Sequence, residues 1–180
     1  MIIDGGAVGI GVESTIVDVS GEIPTLLRPG AITIEMLRET LGQVDIDPVI
    51  LGPVSGDIKP KAPGMKYRHY APKADMILVE GDMDKVVAYI NEQTKKAEAE
   101  GKKVGIICTE ESRDMYQAEL EVIGSREHEE TVAHNLFAVL RDFDARKVNC
   151  IFSESFSKDR LGQAIMNRLC KAAGYHIVNV

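Results

Sequence analysis

Two groups of residues in this chain carry side chains that could act on a small anion. In the first, Gly11-Val12-Glu13-Ser14-Thr15 delivers two hydroxyls where a strand begins, and Leu27-Arg28-Pro29-Gly30 delivers a guanidinium where a second strand ends. An arginine fork binds carboxylate or phosphate through paired bonds, and a serine hydroxyl serves a ligand's carboxylate or amine. The second group is Ala62-Pro63-Gly64-Met65-Lys66-Tyr67-Arg68-His69-Tyr70-Ala71-Pro72. Its prolines and glycine keep it out of helix and central strand. Lys66, Arg68 and His69 bring positive charge, and Tyr67 and Tyr70 bring aromatic rings. Cations interleaved with aromatics suit the phosphates and flat base of a nucleotide. A stiff connector whose tyrosines pack on a neighbouring domain would have the same composition.

The elements that must position these residues fall into three segments. Residues 1–46 read as β-structure with one helix. Ile2-Ile3 is a strand end and Asp4-Gly5-Gly6 a turn; Val12–Val19 alternates and is β-branched, so it is expected to be a strand, and Thr25–Arg28 to be a second. Thr33 is an N-cap candidate, Ile34, Leu37 and Leu41 share a helical face, and Gly42 is the stop. Two strands and one helix cannot close a core, so this piece is expected to pack on something else, either further chain absent here or a partner. Residues 47–72 form a linker in which Pro48, Pro53, Pro60, Pro63 and Pro72 rule out regular structure through most of the length. From Lys73 the pattern becomes strand–helix alternation. Apolar strands at Met76–Val79, Val104–Cys108, Leu120–Ile123, Cys150–Phe152 and His176–Val178 are separated by helices marked by Met83–Ala97, Glu111–Gln117, Val132–Phe143 and Leu161–Leu169. The expected fold is α/β: a Rossmann-like three-layer domain over 73–180 with a mostly parallel sheet covered on both faces.

Bulk properties narrow the function classes. Of 180 residues, 44% are apolar and 27% charged, as in ordinary globular proteins. No apolar run approaches the ~20 residues of a membrane span. Cys108, Cys150 and Cys170 are far apart with no metal-ligand spacing, and read as reduced, buried thiols of a cytoplasmic protein. The net charge of −7 argues against broad nucleic-acid binding. Yet residues 47–72 carry a net +2, against −4 over 73–180. The linker is a basic strip on an acidic protein, which favours a small anion as ligand.

Other constellations are weaker. No Gly-x-Gly-x-x-Gly follows the first strand of the 73–180 domain, so dinucleotide binding is unsupported. Glu80, Asp82 and Asp84 read as acids at a helix start. Ser153-Glu154-Ser155-Phe156-Ser157 lies where open sheets place ligands, and reads first as a loop capping the next helix. His134 reads as a core-edge residue, and Arg168 as an arginine extending off its helix to solvent. No nucleophile–base pair is visible.

Three motifs in order carry a resemblance: Gly-Val-Glu-Ser-Thr-Ile-Val-Asp at 11–18, Leu-Leu-Arg-Pro-Gly-Ala-Ile-Thr at 26–33, and the stretch at 62–72. With Gln163–Leu169 they resemble the long form of threonylcarbamoyl-AMP synthase, which has a YrdC-type catalytic domain, a linker and a smaller Rossmann-like domain. The resemblance implies that 1–46 is the end of the catalytic domain, 47–72 the interdomain linker and 73–180 the smaller domain. It implies a reaction in which L-threonine, bicarbonate and ATP, usually with Mg²⁺, give threonylcarbamoyl-adenylate and pyrophosphate for the t6A modification of tRNA. By resemblance Ser14 contacts threonine and Arg28 the ATP phosphates. Tyr70, in preference to Tyr67, contacts the nucleotide, and Lys66 and Arg68 hold the linker over the cleft. The linker and small domain would gate the site. The front of the catalytic domain would have to be supplied in cis or in trans, and these 180 residues alone are expected not to make the adenylate. An apolar face left open on 1–46 is expected to drive oligomerisation. A non-enzymatic nucleotide- or protein-binding module is the alternative; weak RNA binding is a third reading, opposed by the charge.

Overall fold

A computed structural model of the chain describes residues 1, 3, 6, 8–52, 61–62 and 71–180. The front of the chain forms a small mixed sheet. Strand β1 (Ile16–Asp18) runs antiparallel to β2 (Thr25–Arg28), and β2 runs parallel to β3 (Asp45–Ile46). Between β2 and β3 lies α1 (Ile34–Leu41), started by Thr33, whose hydroxyl accepts from the Met36 amide at 3.5 Å, and ended at Gly42. Leu26, Ile34 and Val44 form a small buried cluster, with Val17, Leu37 and Ile46 packed around it. Leu41 falls off this face and is exposed.

β1 is shorter than the alternation over 12–19 predicts, and the reason is tertiary. Residues 11–13 are taken up by contacts with the second half of the chain instead of by a strand partner. Val12 is buried in the main core of that half. The segment 47–72 also holds one more element than expected: α2 (Pro48–Leu51), a single turn. Asp47 caps it, accepting from the Val49 amide at 3.0 Å, and Pro48 takes the first helical position, where its missing N–H costs nothing.

From Asp75 the chain alternates: β4 (Asp75–Glu80), α3 (Met83–Ala99), β5 (Val104–Cys108), a 3₁₀ turn at Arg113–Met115, β6 (Leu120–Val122), α4 (Glu129–Arg146), β7 (Cys150–Glu154), α5 (Arg160–Ala172) and β8 (Ile177–Asn179). These strands form a five-stranded, all-parallel sheet in the order β6-β5-β7-β4-β8. The Rossmann-like expectation holds. Strand alternation splits the apolar residues between two faces. Met76, Leu78, Ile107 and Ile151 meet Leu136, Val139, Leu140 and Phe143 of α4 and Ile165 and Leu169 of α5. On the other face Val79, Ile106, Cys108 and Phe152 meet Val86 and Ile90 of α3, and Tyr116. Each such large side chain, fully buried, contributes about 1.5–3 kcal/mol relative to exposure.

Some local expectations need correction. Asp82 and Asp84 do stand at the start of α3, but Glu80 ends β4 and pairs with Lys158 at 2.9 Å. All three thiols are free, yet only Cys108 is buried; Cys150 and Cys170 are half-buried. Burial, followed by the charge of Glu154, pushes the Cys108 thiol up to about 12, so it stays protonated and unreactive. His134 is exposed rather than at the core edge.

Candidate functional site

The first two sequence-marked side chains meet at one corner. In the β1–β2 ladder Ile16 stands opposite Arg28, which brings Ser14 alongside it. Arg28 Nε donates to the Ser14 carbonyl at 2.9 Å. Ser14 is exposed, and its hydroxyl enters no hydrogen bond among the described residues. Thr15, the other hydroxyl of the pair, is spent on structure: its Oγ1 donates to the Ile32 carbonyl at 2.7 Å and accepts from the Ile32 amide at 3.1 Å. The chain following β2 crosses this strand so closely that a Cβ on Gly30 would lie 2.5 Å from Thr15 N and 2.6 Å from Glu13 O. Only glycine permits that crossing.

A residue read from sequence as a solvent-directed arginine completes the corner. Arg168 of α5 is 6% exposed. Its Nε donates to Glu13 Oε2 at 2.7 Å, its Nη2 to the Glu13 carbonyl at 3.3 Å, and its Nη1 to the Pro29 carbonyl. Removing a guanidinium from water is costly unless its donors are met, and here they are. The front piece, expected to pack on further chain or on a partner, packs instead on α4 and α5 of the same chain. A Cβ on Gly11 would lie 2.3 Å from the Ala133 carbonyl, so this backbone rests directly on α4. Sequence reasoning missed the Arg168 role because its partner lies 155 residues away.

The electrostatics of the corner favour an anion. Burial lowers the Lys171 pKa, and the charges of Arg168 and Arg28 lower it further, as expected where cations crowd. Arg28, Arg168 and Lys171 thus gather around one acid, Glu13. Burial pushes the Glu13 carboxyl up, but the Arg168 charge and hydrogen bond outweigh this and hold it below the usual range. Such a cluster has the charge to suit a phosphate or carboxylate.

Two other polar places are less suited. Glu154, within the serine-rich stretch, is fully buried and accepts from Tyr116 Oη at 2.8 Å, from Thr109 Oγ1 at 3.4 Å and from Ser112, while Arg126 Nη2 pairs with it at 2.6 Å. Burial, then the charge of Glu154, raises the Tyr116 pKa, so its phenol remains a donor. Glu154 is committed to holding loops together, and Ser153 also turns inward, donating to the Glu154 carbonyl at 2.8 Å. The second place is a groove of about 1010 Å³ between α1 and the starts of α4 and α5. Glu35, Glu39, Glu127, Glu129, Glu130 and Asp159 outnumber Arg126 and Arg160 there, which repels phosphate. Lys66, Tyr67, Arg68 and Tyr70 lie outside the described residues.

Comparison with known proteins now bears on this arrangement. Residues 32–174 match the family described as "Threonylcarbamoyl-AMP synthase, C-terminal domain". The threonylcarbamoyl-AMP synthase of Pyrococcus abyssi is 46% identical over 179 residues, covering 99% of this chain and 51% of the relative. That of Bacillus subtilis is 43% identical over 178 residues, covering 98% of this chain and 49% of the relative. The crystal structure of P. abyssi Sua5 complexed with L-threonine superposes with a TM-score of 0.87 at 44% identity, over 98% of this chain and 50% of that one. The chain thus spans about half the length of the relatives it matches. It belongs to the threonylcarbamoyl-AMP synthase family and corresponds to the C-terminal part of those proteins.

Proposed function

We propose that the Ser14–Arg28 corner is part of a threonylcarbamoyl-AMP synthase site. There L-threonine, bicarbonate and ATP form threonylcarbamoyl-adenylate, pyrophosphate and water, the adenylate then serving the t6A modification of tRNA in the cytoplasm. The observation that supports this is an exposed serine held beside an arginine through the serine's backbone carbonyl, within a cluster of three cations around one acid. Ser14 Oγ contacts threonine, and Arg28 neutralises ATP phosphate, with Mg²⁺ arriving as the counter-ion of ATP. Negative charge develops on the phosphoryl oxygens and the departing pyrophosphate, so placed cations and held geometry supply the catalysis. In this reading Tyr70, or Tyr67 beside it, meets the nucleotide, Lys66 and Arg68 anchor the linker above it, and the linker with the small domain gates the site.

Calorimetric titration of ATP tests the proposal. Losing a charge-assisted hydrogen bond costs about 1.5–3 kcal/mol, so Arg28→Ala weakens ATP binding by roughly tenfold or more. Tyr70→Phe is expected to weaken it less. Nucleotide binding indifferent to both changes would favour a non-enzymatic binding module instead.

A further inference from the structure

We infer that Arg168 is a positioning residue that holds the two halves of the Ser14–Arg28 corner in register from the far end of the chain. This deepens the function proposed above and rests on it for its catalytic meaning. Glu13 immediately precedes Ser14, and Pro29 immediately follows Arg28. One guanidinium binds both: Glu13 through its carboxyl and carbonyl at 2.7 and 3.3 Å, and Pro29 through its carbonyl. A planar fork with five fixed donors can serve acceptors on two segments at once; an ammonium cannot do so with the same geometry. The next donor of the same guanidinium returns to its own helix, at the Ala164 carbonyl, 3.5 Å away. At 6% exposure, with these bonds made, Arg168 is not placed to touch a ligand itself.

The adjoining side chain extends the same grip. Asn167 Nδ2 donates to the Ile50 carbonyl at 3.3 Å, in α2. A carbonyl only accepts, so this bond also fixes which way the Asn167 amide points. Two successive residues of α5 thereby hold the segments at 13, 29 and 50. The small domain, which offers no catalytic constellation of its own among the described residues, acts on the site through this helix. Its contribution is the fixed spacing between the serine and the arginine.

Hydrogen exchange on the full chain tests the assignment, comparing peptides over 11–16 and 28–32 with β4, β5 and β7. In Arg168→Gln, exchange in both peptides is expected to rise by about tenfold or more while the three strands keep their protection, as for a local opening. Arg168→Lys carries a distinctive signature: an ammonium restores the Glu13 side but not the Pro29 side, so 11–16 recovers and 28–32 stays fast. Wild-type exchange in both peptides of the Gln variant overturns the inference, as does a Lys variant that matches wild type in both. Should Arg168→Gln fail to fold, Glu13→Gln removes the ion pair at a half-exposed position; faster exchange at 11–16 is then the supporting result, and no change the opposing one. ATP titration of Arg28→Ala remains separate. If that fails to weaken binding, the functional reading falls while the exchange result still decides the clamp.

Discussion

Glu13 is worth following as a single titrating group. Burial raises its pKa, but the charge and hydrogen bond of Arg168, its own backbone amide and Arg28 together bring it below the ordinary value of 4.5. An acid depressed in the folded state stabilises that state above its unfolded pKa, and the contribution fades as pH falls through the native value. The front corner is therefore fully held above 4.5 and loosens below it. NMR shifts of the Ser14 and Gly30 amides, followed from about pH 6 to about pH 3, should record this, and Glu13→Gln should remove the transition. Identical profiles in the two proteins would show that Glu13 is not the group responsible. At this scale the sequence was partly legible. Ser14 and Arg28 could be paired because strand alternation and a hairpin place them side by side. Arg168 could not, because a lone arginine on a helix reads the same whether it faces water or a carboxylate brought in by the fold.

The elements divide in the same way. All five strands of the parallel sheet were visible as short apolar runs, since burial on both faces leaves little room for polar residues. The helices α3, α4 and α5 followed from their spacing. What spacing missed was local chemistry. The stretch 111–117 yields only a 3₁₀ turn at Arg113–Met115, because Ser112 turns inward to Glu154 and the Glu111 carboxylate is drawn to Ser125 Oγ at 2.6 Å. Residues 11–13 look strand-like but are claimed by α4 and α5. Their docking depends on Gly11, where an added Cβ would meet backbone atoms of Ala133 and His134 that cannot give way. Gly11→Ala is thus expected to cost about 1–3 kcal/mol, as other forced overpacking does. Chemical denaturation should report the loss, and hydrogen exchange should locate it at the front segment. An unchanged stability would mean that the front piece is held elsewhere.

Across the whole molecule, exposed large apolar side chains are unevenly spread. Ile3, Val8, Ile10, Val19, Ile23, Ile32, Met36 and Leu41 are exposed in the front segment, whereas among the described residues beyond it only Met115 is an exposed large hydrophobe. The front piece has a small core and an anchorage on α4 and α5, yet keeps an apolar exterior. Exposed apolar side chains concentrated in one segment favour association, and we expect self-association through this segment. Sedimentation should show mass rising with concentration, and Ile10→Asp with Ile23→Asp should abolish the rise. A strictly monomeric chain at all concentrations would count against it.

The order of strands in the parallel sheet has a consequence for how this chain is made. β4 is the first strand of its domain, yet it does not lie beside β5. Its neighbours are β7 and β8, with Asp75 beside Cys150 and Leu78 beside Ile177. On a ribosome β4 leaves the exit tunnel with both hydrogen-bonding edges unmet and waits through the synthesis of α3, β5, β6 and α4. Pairings this distant close slowly, and their unpaired edges stay open to wrong partners meanwhile. Assembly is therefore timed by the arrival of Cys150–Glu154, and a nascent chain stalled before it has made nothing to sit between β5 and β4.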